Sequence, residues 1–214
     1  MTAIIDYDAG NIRSVEKALL FLGEETVVTR DPAALLAADR VILPGVGAFG
    51  DAMRRLREFG LVEVIREIAE RGTPLLGICL GLQLLFESSE ESPGEEGLGL
   101  LKGRILRIPE GLDECGQPIK IPHIGWNGLA LFPEEGLRKS RLFWELPKES
   151  YVYFVHSYYL KAEEDIVTAR TGYGVSIDAA VEKGNVFACQ FHPEKSSRTG
   201  LKILQNFLQL GREE

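Results

Sequence analysis

The sequence has little cysteine, no excess of positive charge and no long apolar run. Its cysteines (Cys79, Cys115 and Cys189) are three in number and lack metal-ligand spacing, which argues against a disulfide framework and a zinc site. A net charge of −8, from 24 basic and 32 acidic residues, argues against nucleic acid as the main partner. No apolar run approaches a membrane span, and no basic region precedes an apolar core at the N-terminus. We therefore expect a cytoplasmic protein that needs no membrane, metal or cofactor.

The composition is that of an ordinary globular protein, with 45% hydrophobic and 26% charged residues in a chain of 214. This length suits one domain, or one domain with a sizeable insertion, and allows a substantial core. The sequence contains no internal repeat, low-complexity tract or linker. We expect residues 1–214 to form a single domain.

The first part of the chain alternates strand and helix patterns four times. The patterns predict strands at 3–7, 26–29, 40–43 and 73–78, and helices that begin near 12, 32, 51 and 61. Such alternation predicts a parallel sheet with helices on both faces. In these sheets ligands bind at the carboxyl ends of the strands, where the Pro44–Gly50 loop and Cys79 both lie.

The second half of the chain has a different pattern. Residues 87–99 are acidic and glycine-rich, which predicts an exposed loop. Short strands are then predicted at 104–108, 119–124, 151–157, 166–169, 177–182 and 185–191, followed by an amphipathic helix at 196–210. The fold class is therefore α/β, with a mostly parallel central sheet, helices on both faces and an antiparallel β extension in the C-terminal half.

The pentapeptide Gly77-Ile78-Cys79-Leu80-Gly81 joins a predicted strand to an apolar helix. A strand, a turn flanked by glycines and a helix are the parts of a nucleophile elbow, here with cysteine in place of serine. At the helix N-terminus, unpaired N–H groups and the helix dipole favour a thiolate. The alternative is an ordinary buried cysteine, since free cysteine is among the most buried residue types.

A candidate base lies near the C-terminus, in the segment Gln190-Phe-His192-Pro-Glu194. Proline favours an extended backbone in the residue before it, and residues two apart in an extended chain share a face. Glu194 is then expected to reach the His192 imidazole and hold its tautomer. The alternative is a strand-end histidine beside a solvated glutamate, and His123 and His156 are rival bases.

Together these motifs resemble the class I (triad-type) glutamine amidotransferases over nearly the whole chain. The resemblance is closest to the glutaminase subunits of imidazole glycerol phosphate synthase. It is carried by the two motifs above and by Asp8-Ala-Gly-Asn11, Pro44-Gly-Val-Gly-Ala-Phe-Gly50, Pro122-His-Ile-Gly-Trp-Asn127, Tyr153-Phe-Val-His-Ser157 and Gln190-Phe-His-Pro-Glu-Lys-Ser-Ser197.

The resemblance implies that Cys79 attacks the side-chain carboxamide of glutamine, with His192 as acid and base and Glu194 as its orienting partner. Backbone donors for the oxyanion are expected at Leu80 and, from the glycine-rich loop, at Val46 or Gly47. By resemblance, the substrate contacts are Gly47, Gln83, His156, Ser157 and Tyr158.

The resemblance also implies a partner, because ammonia released into solvent would be protonated and lost to synthesis. The family docks on a (β/α)8 cyclase subunit of the HisF type as a heterodimer and passes ammonia into it. Matching positions place Asn11, Trp126 and Lys195 at that interface. An aromatic residue such as Trp126, predicted to lie in a loop, also suits an interface core.

Three alternatives stay open at the level of sequence. One is a glutaminase of the same family that serves another synthase, such as the pyridoxal-phosphate one. The second is a cysteine hydrolase that acts on γ-glutamyl peptides without a partner. The third is a non-enzymatic interaction module that keeps the fold.

Overall fold

The computed structural model describes residues 1–112 and 116–211, so Cys115 lies outside the described residues. The strands are β1 Thr2–Ile5, β2 Thr26–Thr29, β3 Arg40–Leu43, β4 Leu75–Ile78, β5 Ser88–Ser89, β6 Gly103–Arg107, β7 His123–Leu131, β8 Ser150–His156, β9 Tyr158–Ala162, β10 Val167–Tyr173, β11 Val175–Lys183 and β12 Val186–Cys189. The α-helices are α1 Ile12–Phe21, α2 Pro32–Leu36, α3 Phe49–Glu58, α4 Leu61–Glu70, α5 Leu80–Leu84 and α6 Ser197–Leu208.

Nine of these strands form one mixed sheet in the order β2-β1-β3-β4-β12-β11-β10-β7-β8. The five strands from β2 to β12 are mutually parallel, and the four from β11 to β8 continue the sheet in antiparallel fashion. A second sheet contains β5, β6 and β9. The predicted fold class is confirmed, with the antiparallel extension built onto the same sheet as the parallel part.

Helices cover both faces of the parallel strands, because successive side chains of a buried strand point to opposite faces. On one face Ile5, Val41 and Leu75 belong to a cluster with side chains of α3 and α4. On the other face the intervening residues Ile4 and Ile42 belong to a cluster with α1 and α6. The first strands are apolar at nearly every position for this reason.

The predicted boundaries of strands and helices agree well with the structure in the parallel half and less well in the antiparallel half. Strands 26–29 and 40–43 are confirmed without change, and Asp31 caps α2 as expected, accepting from the N–H groups of Ala33 and Ala34. The strand predicted at 119–124 is largely wrong, since β7 begins only at His123. The prediction also lacks β9, which directly follows β8 without a turn signal.

None of the helices that the structure describes combines the length and the apolar character that a membrane crossing requires.

The short helix α5 lies directly against the end of β3, and glycine makes this approach possible. A Cβ atom on Gly81 would overlap the carbonyl oxygen of Leu43. The contact is with backbone, so it cannot be relieved by a side-chain rotation. The position of α5, and of the residue that precedes it, therefore depends on the absence of a side chain at residue 81.

We predict that Gly81→Ala lowers the free energy of unfolding by about 3 kcal/mol, because one of two backbone segments must move. Gly172→Ala is the matched control, since a Cβ there meets no atom within 4 Å. Urea denaturation followed by circular dichroism measures both. Equal stability of the two variants would contradict the close packing of α5 on β3.

Candidate active site

Cys79 occupies the turn between β4 and α5. Its backbone has φ 56° and ψ −107°, a conformation that non-glycine residues rarely adopt and that costs on the order of 1–3 kcal/mol. The turn is held by the N–H of Cys79, which donates to the carbonyl of Cys189 at the end of β12 over 2.8 Å. The structure thus gives Cys79 the strained strand-to-helix turn of a nucleophile elbow.

His192 and Glu194 are brought together, but not by the extended backbone that the sequence analysis expected. His192 itself is extended, and Pro193–Lys195 then form a 3-10 turn that begins with the proline, a residue favoured at the first helical position. His192 Nδ1 and Glu194 Oε1 are 2.8 Å apart, and both side chains are fully buried. The predicted contact and the extended backbone of His192 are confirmed, whereas the expectation that the extended backbone continues to Glu194 is wrong.

A third residue, Asn11, binds the same carboxylate oxygen of Glu194 that His192 contacts. Its Nδ2 donates to Glu194 Oε1 over 2.6 Å, from the position before α1 and with φ 70°. The sequence analysis assigned Asn11 to the partner interface and did not foresee this contact, which joins residues 183 apart in the chain. The one available signal was its place after the carboxyl end of a parallel strand.

The electrostatic environment favours a charged imidazole. Burial lowers the pKa of His192, but its interactions with Cys79 and Glu194 outweigh burial and raise the pKa to about 9. His192 Nε2 makes no hydrogen bond of ordinary length among the described atoms, although Cys79 is close enough to act on the ring. Catalytic contacts are commonly long before a substrate tightens them.

Cys79 opens onto a cavity of about 270 Å³ that lies between the elbow, the 45–47 loop and the end of β8. The cavity is lined by residues that the sequence analysis named, which are Val46, Gly47, Leu80, Gln83, His156, Ser157 and Tyr158. It is also lined by three that it missed, namely Glu91, Pro122 and Val155. A larger cavity of about 520 Å³ beside Phe132 and Trp144 has no cysteine or histidine in its wall.

The expected oxyanion donor is engaged elsewhere in this structure. The N–H of Leu80 donates to the carbonyl of Gly45 over 3.3 Å and does not point freely into the cavity. The same peptide unit carries the N–H of Val46, which together with Gly47 was the alternative expected for the second donor. The orientation of the Gly45–Val46 peptide therefore governs both donors at once.

The other two residues expected at the partner interface are exposed. Trp126 is 53% exposed and lies within β7, so its predicted place in a loop was wrong. Its ring packs edge-on against that of Tyr153 on β8. Lys195 is exposed in the turn that contains Glu194. These positions present both side chains to solvent.

Two further observations bear on cofactors and on the remaining thiols. Within residues 1–112 and 116–211 no group of three or more histidine, cysteine or acidic side chains is arranged to hold a metal ion.

Cys189 is fully buried, and burial, followed by the charges of Glu194 and Cys79, raises the pKa of its thiol. Cys189 is therefore a protonated core residue and no second nucleophile.

Comparison with known proteins matches this arrangement to a family. The profile of the family described as glutamine amidotransferase class-I matches residues 3–210. The imidazole glycerol phosphate synthase subunit HisH of Moorella thermoacetica is 54% identical over 98% of this chain and 95% of its own length. The HisH subunit of Methanothermobacter thermautotrophicus is 48% identical over 98% of both chains. The chain is a class I glutamine amidotransferase of the HisH family.

A solved structure agrees on the fold. The chain matches a crystal structure of a glutamine amidotransferase with a TM-score of 0.72 and 24% identity over 98% of both chains. For this HisH-family chain, several of the segments quoted for the resemblance contribute residues to the cavity at Cys79, among them Val46, Pro122 and His156. The HisH relatives are named as subunits of a synthase, so they act with a further subunit.

We predict that His192 titrates near pH 9 and that Glu194→Gln and Cys79→Ala each lower its pKa towards the ordinary value of about 6.5, since each removes one of the interactions that raise it. NMR titration of the histidine ring signals measures the shift. Because the pKa of His192 is raised in the folded protein, the charged ring and its partners contribute to the stability of the fold. This contribution is complete below about pH 6.5 and disappears as the pH rises through about 9. A wild-type value near 6.5 would contradict the assignment.

Proposed function

We propose that this chain is the glutaminase subunit of an imidazole glycerol phosphate synthase, and that it hydrolyses glutamine to glutamate and ammonia in histidine biosynthesis. The observation that carries the proposal is the position of Cys79, strained in its turn and open to a cavity of small-molecule size. The names of its relatives supply the substrate and the pathway. They also argue against a glutaminase that serves a different synthase.

In the proposed first step, the Cys79 thiolate attacks the carboxamide carbon of glutamine. The tetrahedral intermediate collapses as the C–N bond breaks, and the imidazolium of His192 gives its proton to the departing nitrogen, which leaves as ammonia. A γ-glutamyl thioester remains on Cys79. The raised pKa of His192 supports this role, because the ring carries the required proton near neutral pH.

In the proposed second step, His192 takes a proton from water, and the resulting hydroxide attacks the thioester carbon. The C–S bond breaks, glutamate leaves, and thiolate and imidazolium are restored. Glu194 fixes the proton on Nδ1 of His192 through its Oε1 atom, which leaves Nε2 to exchange protons with the reacting groups. The overall change is glutamine plus water to glutamate plus ammonia.

Both steps develop negative charge on the carbonyl oxygen of the substrate. We infer that the Gly45–Val46 peptide rotates during turnover, since its carbonyl now accepts from Leu80. A rotation would free the N–H of Leu80 and bring the N–H of Val46 towards the cavity. An oxyanion donor of this kind contributes on the order of 3–4 kcal/mol to transition-state stabilisation. Slow turnover is expected while the peptide keeps its present orientation.

The remaining contacts with glutamine are assigned to the wall of the cavity. Gly47, Gln83, His156, Ser157 and Tyr158 are the proposed substrate contacts, supported by their positions around Cys79. Burial is the main cause that lowers the pKa of His156 to about 3, so its ring is neutral at physiological pH and adds no charge to the cavity wall beside the carboxamide.

We propose a cyclase subunit of the HisF-type (β/α)8 class as the partner in a heterodimer, with ammonia passing directly between the subunits. The exposed side chains of Trp126 on β7 and Lys195 in the turn after His192 support an interface at these positions. Asn11 is proposed to act there through its contact with Glu194. The single domain over 1–214 and the cytoplasmic location stay predictions.

We predict that Cys79→Ala abolishes ammonia release from glutamine, because no other described thiol reaches the cavity. Ammonia is measured with the chain alone and with the cyclase and its nucleotide substrate, where wild type is expected to be slow alone and fast in the complex. An unchanged melting temperature shows that the variant is folded. Appreciable residual activity would mean that the nucleophile is misassigned, and full activity of the wild type alone would favour a hydrolase without a partner.

We predict that Trp126→Ala weakens binding of the cyclase by about tenfold or more and leaves folding intact, as expected for an exposed aromatic anchor. Trp144→Ala is the matched control, since Trp144 is 54% exposed and lines the cavity of about 520 Å³, which shares no residue with the cavity at Cys79. Isothermal titration of each variant with the cyclase gives the affinities. Equal affinities for wild type and Trp126→Ala would remove this residue from the interface.

A further inference from the structure

One backbone carbonyl, that of Tyr158, accepts two hydrogen bonds from buried side chains. His156 Nδ1 lies 2.9 Å from it, and Gln83 Nε2 lies 3.1 Å from it. A carbonyl oxygen can only accept, so both nitrogens must donate. This requirement fixes the tautomer of His156 and the orientation of the Gln83 amide.

The fixed tautomer of His156 also determines the tautomer of His123 on β7. Burial is the main cause that lowers the pKa of His156 to about 3 and of His123 to about 4, so both rings are neutral near pH 7. A neutral ring has one donor and one acceptor. Because His156 donates from Nδ1, its Nε2 must accept from His123 Nδ1, which is 3.0 Å away. His123 Nε2 is then an acceptor and lies 3.5 Å from Asn127 Nδ2.

The fixed orientation of the Gln83 amide also determines the orientation of the Gln190 amide, which lies beside the elbow. Gln83 Nε2 also donates to Gln190 Oε1 over 3.0 Å, which identifies that atom as the acceptor. Gln190 Nε2 is therefore the end that lies 3.7 Å from Cys79 Sγ. The reversed amide would place an oxygen against the sulfur and two NH2 groups against each other. The amide of Gln190 can satisfy its neighbours in only one orientation.

Four side chains in this chain of hydrogen bonds are shielded from water, which makes their contacts hard to replace. Gln190 has no exposed surface, and Gln83, His123 and His156 are also buried. A buried polar group that loses its partner retains its full desolvation cost. We name the chain the polar relay, and it consists of Asn127, His123, His156, the Tyr158 carbonyl, Gln83 and Gln190.

We propose that Gln190 is a positioning residue that donates a hydrogen bond to the sulfur of Cys79, and that the polar relay fixes the direction of this donation. The proposal rests on the proposed function, since a thiolate needs such a donor only if it is the nucleophile. The other titratable groups that face Cys79 are His192, Tyr7 and Cys189. Burial raises the pKa values of Tyr7 and Cys189, so neither supplies a charge near pH 7.

The test at the near end uses two variants of Gln190 in the full-length chain. Gln190→Glu keeps the shape of the side chain but turns an oxygen towards the sulfur, and Gln190→Met keeps its length but removes donor and acceptor. A hydrogen bond to a charged group contributes ~1.5–3 kcal/mol. We therefore expect alkylation of Cys79 by iodoacetamide at pH 7 to slow by about tenfold or more in both variants. The alkylated peptide is identified by mass spectrometry.

The test at the far end uses His123, which is stacked between Phe154 and Tyr173 with ring centroids 4.8 and 3.9 Å away. His123→Phe keeps the stacking and removes the donor to His156, whereas His123→Asn places an amide donor near the position of Nδ1. We expect His123→Phe to raise the KM for glutamine about tenfold, with a smaller change in kcat. We also expect the ¹⁵N signal of His156 Nε2 to shift, because this nitrogen loses its donor while Nδ1 stays protonated against the Tyr158 carbonyl. His123→Asn should restore most of the wild-type KM.

Alkylation of Cys79 at the wild-type rate in both folded Gln190 variants would overturn the proposal. An equal KM for His123→Phe and wild type would overturn the role of the relay's far end. The alkylation readout does not depend on glutamine. If the wild type fails to release ammonia while both Gln190 variants still slow alkylation, the proposed function fails and the relay stands.

Discussion

Parallel hydrogen bonding between β4 and β12 sets the distance between the candidate nucleophile and its base. Ile78 pairs with Cys189, so the elbow follows one strand directly and the 190–192 segment follows the other. The register extends one residue beyond the strands, through the bond from the N–H of Cys79 to the carbonyl of Cys189. A slip of one residue would turn Gln190 and His192 together to the face away from Cys79. Every contact described at Cys79 depends on this pairing.

The antiparallel half of the sheet completes the site from the other side. Tyr153 on β8 binds the 192–196 turn twice, since its carbonyl accepts from the N–H of His192 and its N–H donates to Ser196 Oγ, both over 2.9 Å. β8 also ends at His156, which leads directly into Ser157 and Tyr158 in the cavity wall. β8 therefore both positions His192 and leads into the proposed substrate contacts. A shift of this strand would move the base and the substrate contacts together.

The sequence was sufficient where local chemistry decides the structure. Apolar runs buried on both faces identified the parallel strands, and the glycines around Cys79 identified the elbow. It was insufficient where contacts between distant residues decide. Asn11 meets Glu194, and Gln83 meets Gln190 107 residues away, and no local pattern marks either pair. The 3-10 turn at Pro193 and the start of β7 after Pro122 were missed because the fixed φ of proline suits both an extended and a turn backbone.

The turn at 192–196 has a second consequence, for solubility. β8 is the last strand of the nine-stranded sheet, and an uncovered edge strand offers its N–H and C=O groups to other chains. At Tyr153 both groups are occupied by the turn, and α6 follows directly behind it. The residues that hold His192 in place thus also cover part of the sheet edge and hinder its pairing with other chains. Substitutions that loosen this turn are expected to expose the edge of β8 to pairing with other chains and to displace the base at the same time.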